Sequence, residues 1–127
     1  MTIHVTLRYA DADAAIAFLT SALGLVESQV NRDDAGRISH AELVHDDDVL
    51  MIGSRGPEPG PFDTGRAVIY LALPEGTDVD AHHKTAVAAG ATSVQEPVDQ
   101  PYGSREYAVT DPEGNVWSVG SYRPAVP

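Results

Sequence analysis

The amino-acid sequence predicts an α+β fold in which two tandem β-α-β-β-β modules form a curved mixed sheet, with one helix on the convex side of each half. Three observations carry this expectation. Short period-two runs of β-branched and aromatic residues recur along the chain, each bounded by turn residues. An Asp-x-Asp cap leads into an alanine-rich helical stretch closed by glycine twice, from Asp11 to Gly24 and from Asp78 to Gly90. These two landmarks repeat at about 65 residues, and a repeat of that length points to a duplicated supersecondary unit.

The first module occupies about residues 1–53. Ile3 to Tyr9 alternates as a strand does; Asp11 and Asp13 offer caps to a helix through Ala14, Ile16 and Leu19; and Gly24 follows Leu23 as the residue that ends it. Three strands come next, Leu25 to Val30, Ile38 to Val44 and Val49 to Gly53, separated by the turn-rich runs 31–36 and 45–48. Residues 54–65 read as a linker, because Pro57, Pro59 and Pro61 lack backbone donors and the intervening glycines favour turns. The second module, about 66–122, repeats the order: strand Ala67 to Leu73, a helix capped by Asp78 and Asp80 and closed by Gly90, then strands Ala91 to Val94, Arg105 to Val109 and Val116 to Tyr122. The whole, residues 1–127, is expected to be a single domain.

Composition narrows the chemistry. With 43% hydrophobic residues the chain can bury a core, and with no cysteine it has no disulfide, thiolate zinc site or thiol nucleophile. A formal charge of −11 repels phosphate backbones and argues against nucleic acid as a partner. The sequence holds no apolar stretch of the ~20 residues a membrane helix needs and no signal-peptide pattern at its start, so no membrane association and a cytoplasmic location are expected. There is no G-x-S-x-G and no phosphate-binding glycine loop to support a hydrolase or a nucleotide binder.

The duplicated plan and the run from Tyr102 to Trp117, which contains Asp111-Pro112-Glu113-Gly114-Asn115 ahead of the last strand, resemble the vicinal oxygen chelate superfamily, in its glyoxalase, bleomycin-resistance and PhnB-like branch. The resemblance covers essentially the whole chain. It implies four metal-ligand positions, on the first and fourth strands of each module, which fall here on His4, Met51, Val68 and Ser118. Only the imidazole is a competent donor; a thioether, an isopropyl group and an alcohol cannot replace the carboxylate and imidazole donors of a hard or borderline divalent ion. Neither a metal nor another cofactor is therefore expected. The resemblance further implies a homodimer, with the pocket formed within one chain or across two.

Hairpin arithmetic assigns the strand faces. A four-residue loop at 45–48 sets Glu42 against Met51 and puts His40 on the same face. A four-residue loop at 111–114 sets Tyr107 against Ser118 and brings Arg105 with it, leaving Ala108 on the other face. Period two adds His4, Thr6 and Arg8 from one opening strand, and Val68 and Tyr70 from the other. These eleven residues are the expected ligand pocket, a few polar groups among apolar and aromatic walls. Arg8, Glu42 and Arg105 are equally consistent with internal ion pairs or a solvated rim. The opposite face, with Leu7, Leu50, Ile52, Ile69, Leu71, Trp117 and Val119, is nearly pure hydrocarbon and suits helix packing, which makes Trp117 a core anchor.

Two functions are compatible with this pattern. One is metal-independent, non-catalytic binding of a small organic molecule such as a drug or secondary metabolite, which resembles the drug-sequestering resistance proteins of the family. The other is a glyoxalase-type lyase or isomerase acting by proton transfer, with Glu42 as base beside His40 or His4 and an arginine stabilising the developing anion.

Overall fold

The computed structural model describes residues 2–127. The chain forms two compact units, Met1–Gly65 and Arg66–Pro127, each with its own four-stranded mixed sheet and one helix. The linker expected at 54–65 carries no strand or helix beyond Ser54.

In the first unit, β1 (Thr6–Tyr9), α1 (Ala12–Leu23), β2 (Val26–Arg32), β3 (Ile38–His45) and β4 (Asp48–Ser54) follow in chain order, and the sheet order is β1-β4-β3-β2. The β1–β4 pair is parallel and the other pairs are antiparallel. Helix α1 begins where the Asp11 carboxylate accepts the Ala14 N–H at 2.9 Å. It ends at Gly24, whose φ of 78° lets the chain reverse while the Leu25 N–H returns to the Leu19 carbonyl at 3.1 Å. Its buried residues Ile16, Phe18, Leu19 and Leu23 form the core together with Leu7, Tyr9, Ala41, Leu43, Leu50 and Ile52, all of one strand parity. The β3–β4 turn is tighter than expected. His45 pairs with Asp48, leaving a two-residue loop whose Asp46 takes a φ of 52°, a conformation aspartate tolerates. Tightening by one residue on each side preserves parity, so Glu42 faces Met51 as the hairpin arithmetic predicts.

The second unit repeats the topology as β5 (Val68–Ala72), α2 (Val79–Ala88), β6 (Thr92–Asp99), β7 (Arg105–Thr110) and β8 (Val116–Gly120), in the sheet order β5-β8-β7-β6. Asp78 caps α2 by accepting the Ala81 N–H at 3.0 Å. Trp117, Val109, Val119 and Tyr107 are fully buried among Leu71, Val79 and Ala86, which makes Trp117 a core residue. One outer strand of each sheet is irregular: β2 shifts register between Glu27 and Gln29 and again between Asn31 and Arg32, and β6 shifts twice around Gln95 and contains Pro97, whereas the outer strands β1 and β5 pair in unbroken register. Among the described residues, no helix is long and apolar enough to cross a membrane.

One expectation of register is overturned. Thr110 pairs with Val116, Ala108 with Ser118 and Tyr107 with Val119, so the loop between β7 and β8 has five residues, not four. The cause is Asp111. Its N–H donates to the Asn115 carbonyl at 3.0 Å, while its Oδ1 accepts the N–H groups of Glu113 and Asn115 and its Oδ2 accepts Asn115 Nδ2 and Trp117 Nε1 at 3.0 and 3.1 Å. A buried carboxylate with four donors holds residue 115 inside the loop. The one-residue change exchanges the faces of β7: Tyr107 and Arg105 turn toward α2, and Glu106 and Ala108 turn to the open face.

Candidate functional site

The open face of the first sheet carries Thr6 and Arg8 from β1, His40 and Glu42 from β3, and Met51 from β4, brought side by side by the pairings Thr6 with Met51 and Glu42 with Met51. His40 Nε2 lies 2.8 Å from Glu42 Oε2, and both side chains are about one-third exposed. Arg8 places its guanidinium 5.5 Å from the centre of the Phe62 ring, a cation–π contact, with one N–H directed at the Ser54 carbonyl. His4 lies ahead of β1, where its Nδ1 is 3.0 Å from the Val49 carbonyl oxygen. Polar and sulfur-bearing groups thus share this surface.

The open face of the second sheet holds Val68 and Tyr70 on β5, Ser118 on β8, and Glu106 and Ala108 on β7. Val68 is 77% exposed. Tyr70, Tyr102, Glu106, Ser118, Tyr122 and Pro124 surround a hollow of about 590 Å³, within the size range of small-molecule sites. Its rings meet nearly at right angles: Tyr70 and Tyr122 at 84° with centroids 6.3 Å apart, Tyr102 and Tyr122 at 77° and 5.5 Å. Glu106 is only 5% exposed, and its carboxylate accepts from the Tyr102 hydroxyl at 2.5 Å and the Ser104 hydroxyl at 3.2 Å. That hydrogen bond, then desolvation, pushes the Tyr102 phenol up to about 12. Burial, and next the hydrogen bond to Glu106, raise the Tyr70 phenol as well. The Tyr70 oxygen also accepts the Tyr122 N–H at 2.9 Å, which fixes the chain after β8 across the hollow.

Gly120 makes the approach possible. A Cβ there would lie 2.6 Å from Glu106 Cγ, 2.9 Å from the Tyr70 hydroxyl oxygen and 2.6 Å from the Arg105 carbonyl oxygen, all closer than real side chains come.

Arg105 and Tyr107, expected beside Ser118, lie on the other face. Arg105 holds Asp80 of α2 through two bonds at 3.0 Å and Asp99 of β6 through one at 3.0 Å, and those hydrogen bonds raise its pKa above its already high ordinary value. Tyr107 is fully buried and lies 2.6 Å from His82 Nδ1, with burial pushing its phenol up. Its ring also meets the His83 ring edge to face, and His83 Nε2 lies 2.9 Å from the Ser93 hydroxyl. Sequence reasoning missed Glu106, Tyr102 and Tyr122. The face of Glu106 followed from a four-residue loop; Tyr102 stands in the turn before β7, and Tyr122, at the end of the expected last strand, shares the parity of Ser118 but was not carried into the expected pocket.

At the four ligand positions that the resemblance implies, the side chains do not make up a donor set for a divalent ion. His4 offers one nitrogen, directed at a carbonyl oxygen in the first unit; Met51 offers a thioether there; in the second unit Val68 has no donor atom and Ser118 only a neutral hydroxyl. Among the described residues, no three or more His, Asp or Glu side chains cluster so as to hold a metal.

Residues 2–119 match the family model described as the Glyoxalase/Bleomycin resistance protein/Dioxygenase superfamily, and the chain belongs to that family. An uncharacterized protein of Mycobacterium bovis is 35% identical over 118 residues, which span 87% of this chain and 76% of that protein. Among solved structures, TioX from Micromonospora sp. ML1 is similar with a TM-score of 0.76 at 28% identity, the match covering 97% of this chain and 99% of TioX. Lactoylglutathione lyase from Agrobacterium tumefaciens shares the fold with a TM-score of 0.70 at 20% identity, over 94% and 92% of the two chains.

Proposed function

We propose that this protein binds a small organic molecule non-covalently and without metal, as a cytoplasmic homodimer that sequesters a drug or secondary metabolite in the manner of an antibiotic-resistance protein. The observation that carries the reading is the hollow walled by Tyr70, Tyr102 and Tyr122 over Glu106, which offers aromatic surface and a few fixed polar groups. Each unit's open sheet face, taken by itself, offers binding residues: His4, Thr6, Arg8, His40, Glu42 and Met51 in the first unit; Val68, Tyr70 and Ser118 in the second. Membership of a family whose description names bleomycin resistance proteins beside glyoxalases and dioxygenases is compatible with capture and does not by itself choose between capture and turnover. Sequestration requires affinity and stoichiometry but no proton transfer, so the poor donor set costs it nothing.

The His40–Glu42 contact supports a second reading, in which Glu42 serves as the base of a proton-transfer lyase or isomerase. Native mass spectrometry of freshly purified protein separates the two. The expected spectrum is a metal-free dimer with a retained organic adduct that Tyr70→Ala loses. A stoichiometric divalent ion whose removal abolishes turnover would overturn the binding reading and establish an enzyme.

A further inference from the structure

The chemical character of the second unit's hollow is more specific than an apolar cleft requires. A purely apolar ligand would gain nothing from a carboxylate at the base of the site, a neutral hydrogen-bond donor would meet oxygens already engaged by the Tyr102 and Ser104 hydroxyls, and burying an unneutralised carboxylate is costly. An anionic ligand would be repelled by it. Glu106 nevertheless sits there, 5% exposed, steadied by the Tyr102 and Ser104 hydroxyls, under rings set at 77° and 84° to one another. Among the described residues, no lysine, arginine or histidine lines the hollow. The two cations adjacent in sequence to lining residues are engaged elsewhere: Arg105 is turned to the opposite face and held there by Asp80 and Asp99, and the Arg123 guanidinium donates to the Leu73 carbonyl oxygen at 2.9 Å.

Resting on the binding reading above, we infer that this hollow is a cage for an organic ammonium ion, with the ring faces of Tyr70, Tyr102 and Tyr122 around its methyl groups and Glu106 as counter-charge. The negative face of an aromatic ring attracts a cation, and a methylated ammonium is weakly hydrated enough to be drawn into such a cage. The Tyr102 and Ser104 hydroxyls donate to Glu106 and keep the carboxylate in place, so the ligand finds a preset negative site and not one it must assemble. Gly120 supplies the space that lets the carboxylate and the Tyr70 hydroxyl meet. A formal charge of −11 raises the local concentration of such cations around the whole molecule. The ligand class is therefore a small organic molecule bearing a tertiary or quaternary ammonium group.

Choline and 3,3-dimethylbutan-1-ol have the same shape and differ by a positive charge, and titrating each against the full chain by NMR, observing the tyrosine ring resonances, tests the cage. Choline is expected to bind at least about tenfold more tightly than the alcohol. Glu106→Gln should abolish that preference; Tyr122→Phe should keep it, and Tyr122→Leu should weaken choline by about fivefold, because the ring face and not the hydroxyl makes the contact. Tyr122 is partly exposed and outside the strands, so its variants do not threaten the fold. Equal binding of the two probes, or binding of neither, overturns the cation assignment. In either case an organic adduct still present in the native mass spectrum leaves the broader binding reading standing, and its absence removes both.

Discussion

Asp111 illustrates how a single side chain can set a register. Its carboxylate accepts from Glu113 and Asn115 in the loop, from the Asn115 amide and from the Trp117 indole, so it ties the turn to the core residue six positions on. Replacing it with alanine leaves these buried donors unpaired, and Asp111→Ala is expected to cost about 2–4 kcal/mol, read as a lowered urea midpoint. Asn115 extends the hub by accepting the Ala67 N–H at 2.9 Å, where the chain enters β5. The Asp-Pro-Glu-Gly-Asn run was legible as a turn from Asp111 as an acceptor of backbone N–H groups, from Pro112 and from Gly114. What the sequence did not disclose was that the aspartate would recruit the asparagine into the loop, because a hydrogen-bond network among nearby residues leaves no periodic trace. The whole misplacement of Arg105, Glu106 and Tyr107 follows from that one residue.

At the scale of elements, α2 is fastened to its sheet by charge as well as by apolar packing. Arg105 on β7 binds Asp80 in the first turn of α2 and Asp99 at the end of β6. The hydrogen bond from Arg105 is the main reason the Asp80 carboxyl titrates below its ordinary 3.8. A carboxyl depressed on folding stabilises the native state above its unfolded pKa and loses that contribution as the pH falls through the lower folded value. Arg105→Ala should therefore unfold more easily than wild type at about pH 7, by the small amount an exposed pair supplies, with the difference narrowing only below about pH 4. Urea midpoints measured across that range check it; a gap that persists unchanged in acid would assign the effect to lost packing of the arginine stem instead. The elements themselves were readable. Asp11 and Asp78 cap where the Asp-x-Asp pattern placed them, the strand order follows the duplicated plan, and the apolar parity of Leu7, Ile52, Leu71 and Val119 is the buried one.

For the whole molecule, the repeat gave two copies of one topology, and the copies diverged in what their open faces carry. The first presents ions and a thioether around Met51, the second tyrosines around Glu106. The periodic part of each face was accessible from sequence, because period two needs only the strand. Tyr102 was not, since it enters from the turn before β7; Tyr122 was within reach, because it closes the expected strand Val116 to Tyr122 with the parity of Ser118, and folding brings the two ring centroids 5.5 Å apart. The charge of −11 has a measurable consequence at this scale. Raising the salt from about 0.01 to about 0.15 M shortens the screening length from ~30 to ~8 Å. Choline affinity should fall several-fold over that range, while Glu106→Gln should reduce affinity at both ends, which separates the local counter-charge from the surrounding field.

The irregular outer strands bear on how such a protein can be used. A binder that works by stoichiometry must accumulate to the concentration of whatever it captures, and a crowded β-protein with flat borders would recruit its neighbours into extended sheets. The slipped registers of β2 and the proline of β6 deny those two edges a regular ladder to template, so the abundance that the proposed capture would demand meets less risk of aggregation along those two strands.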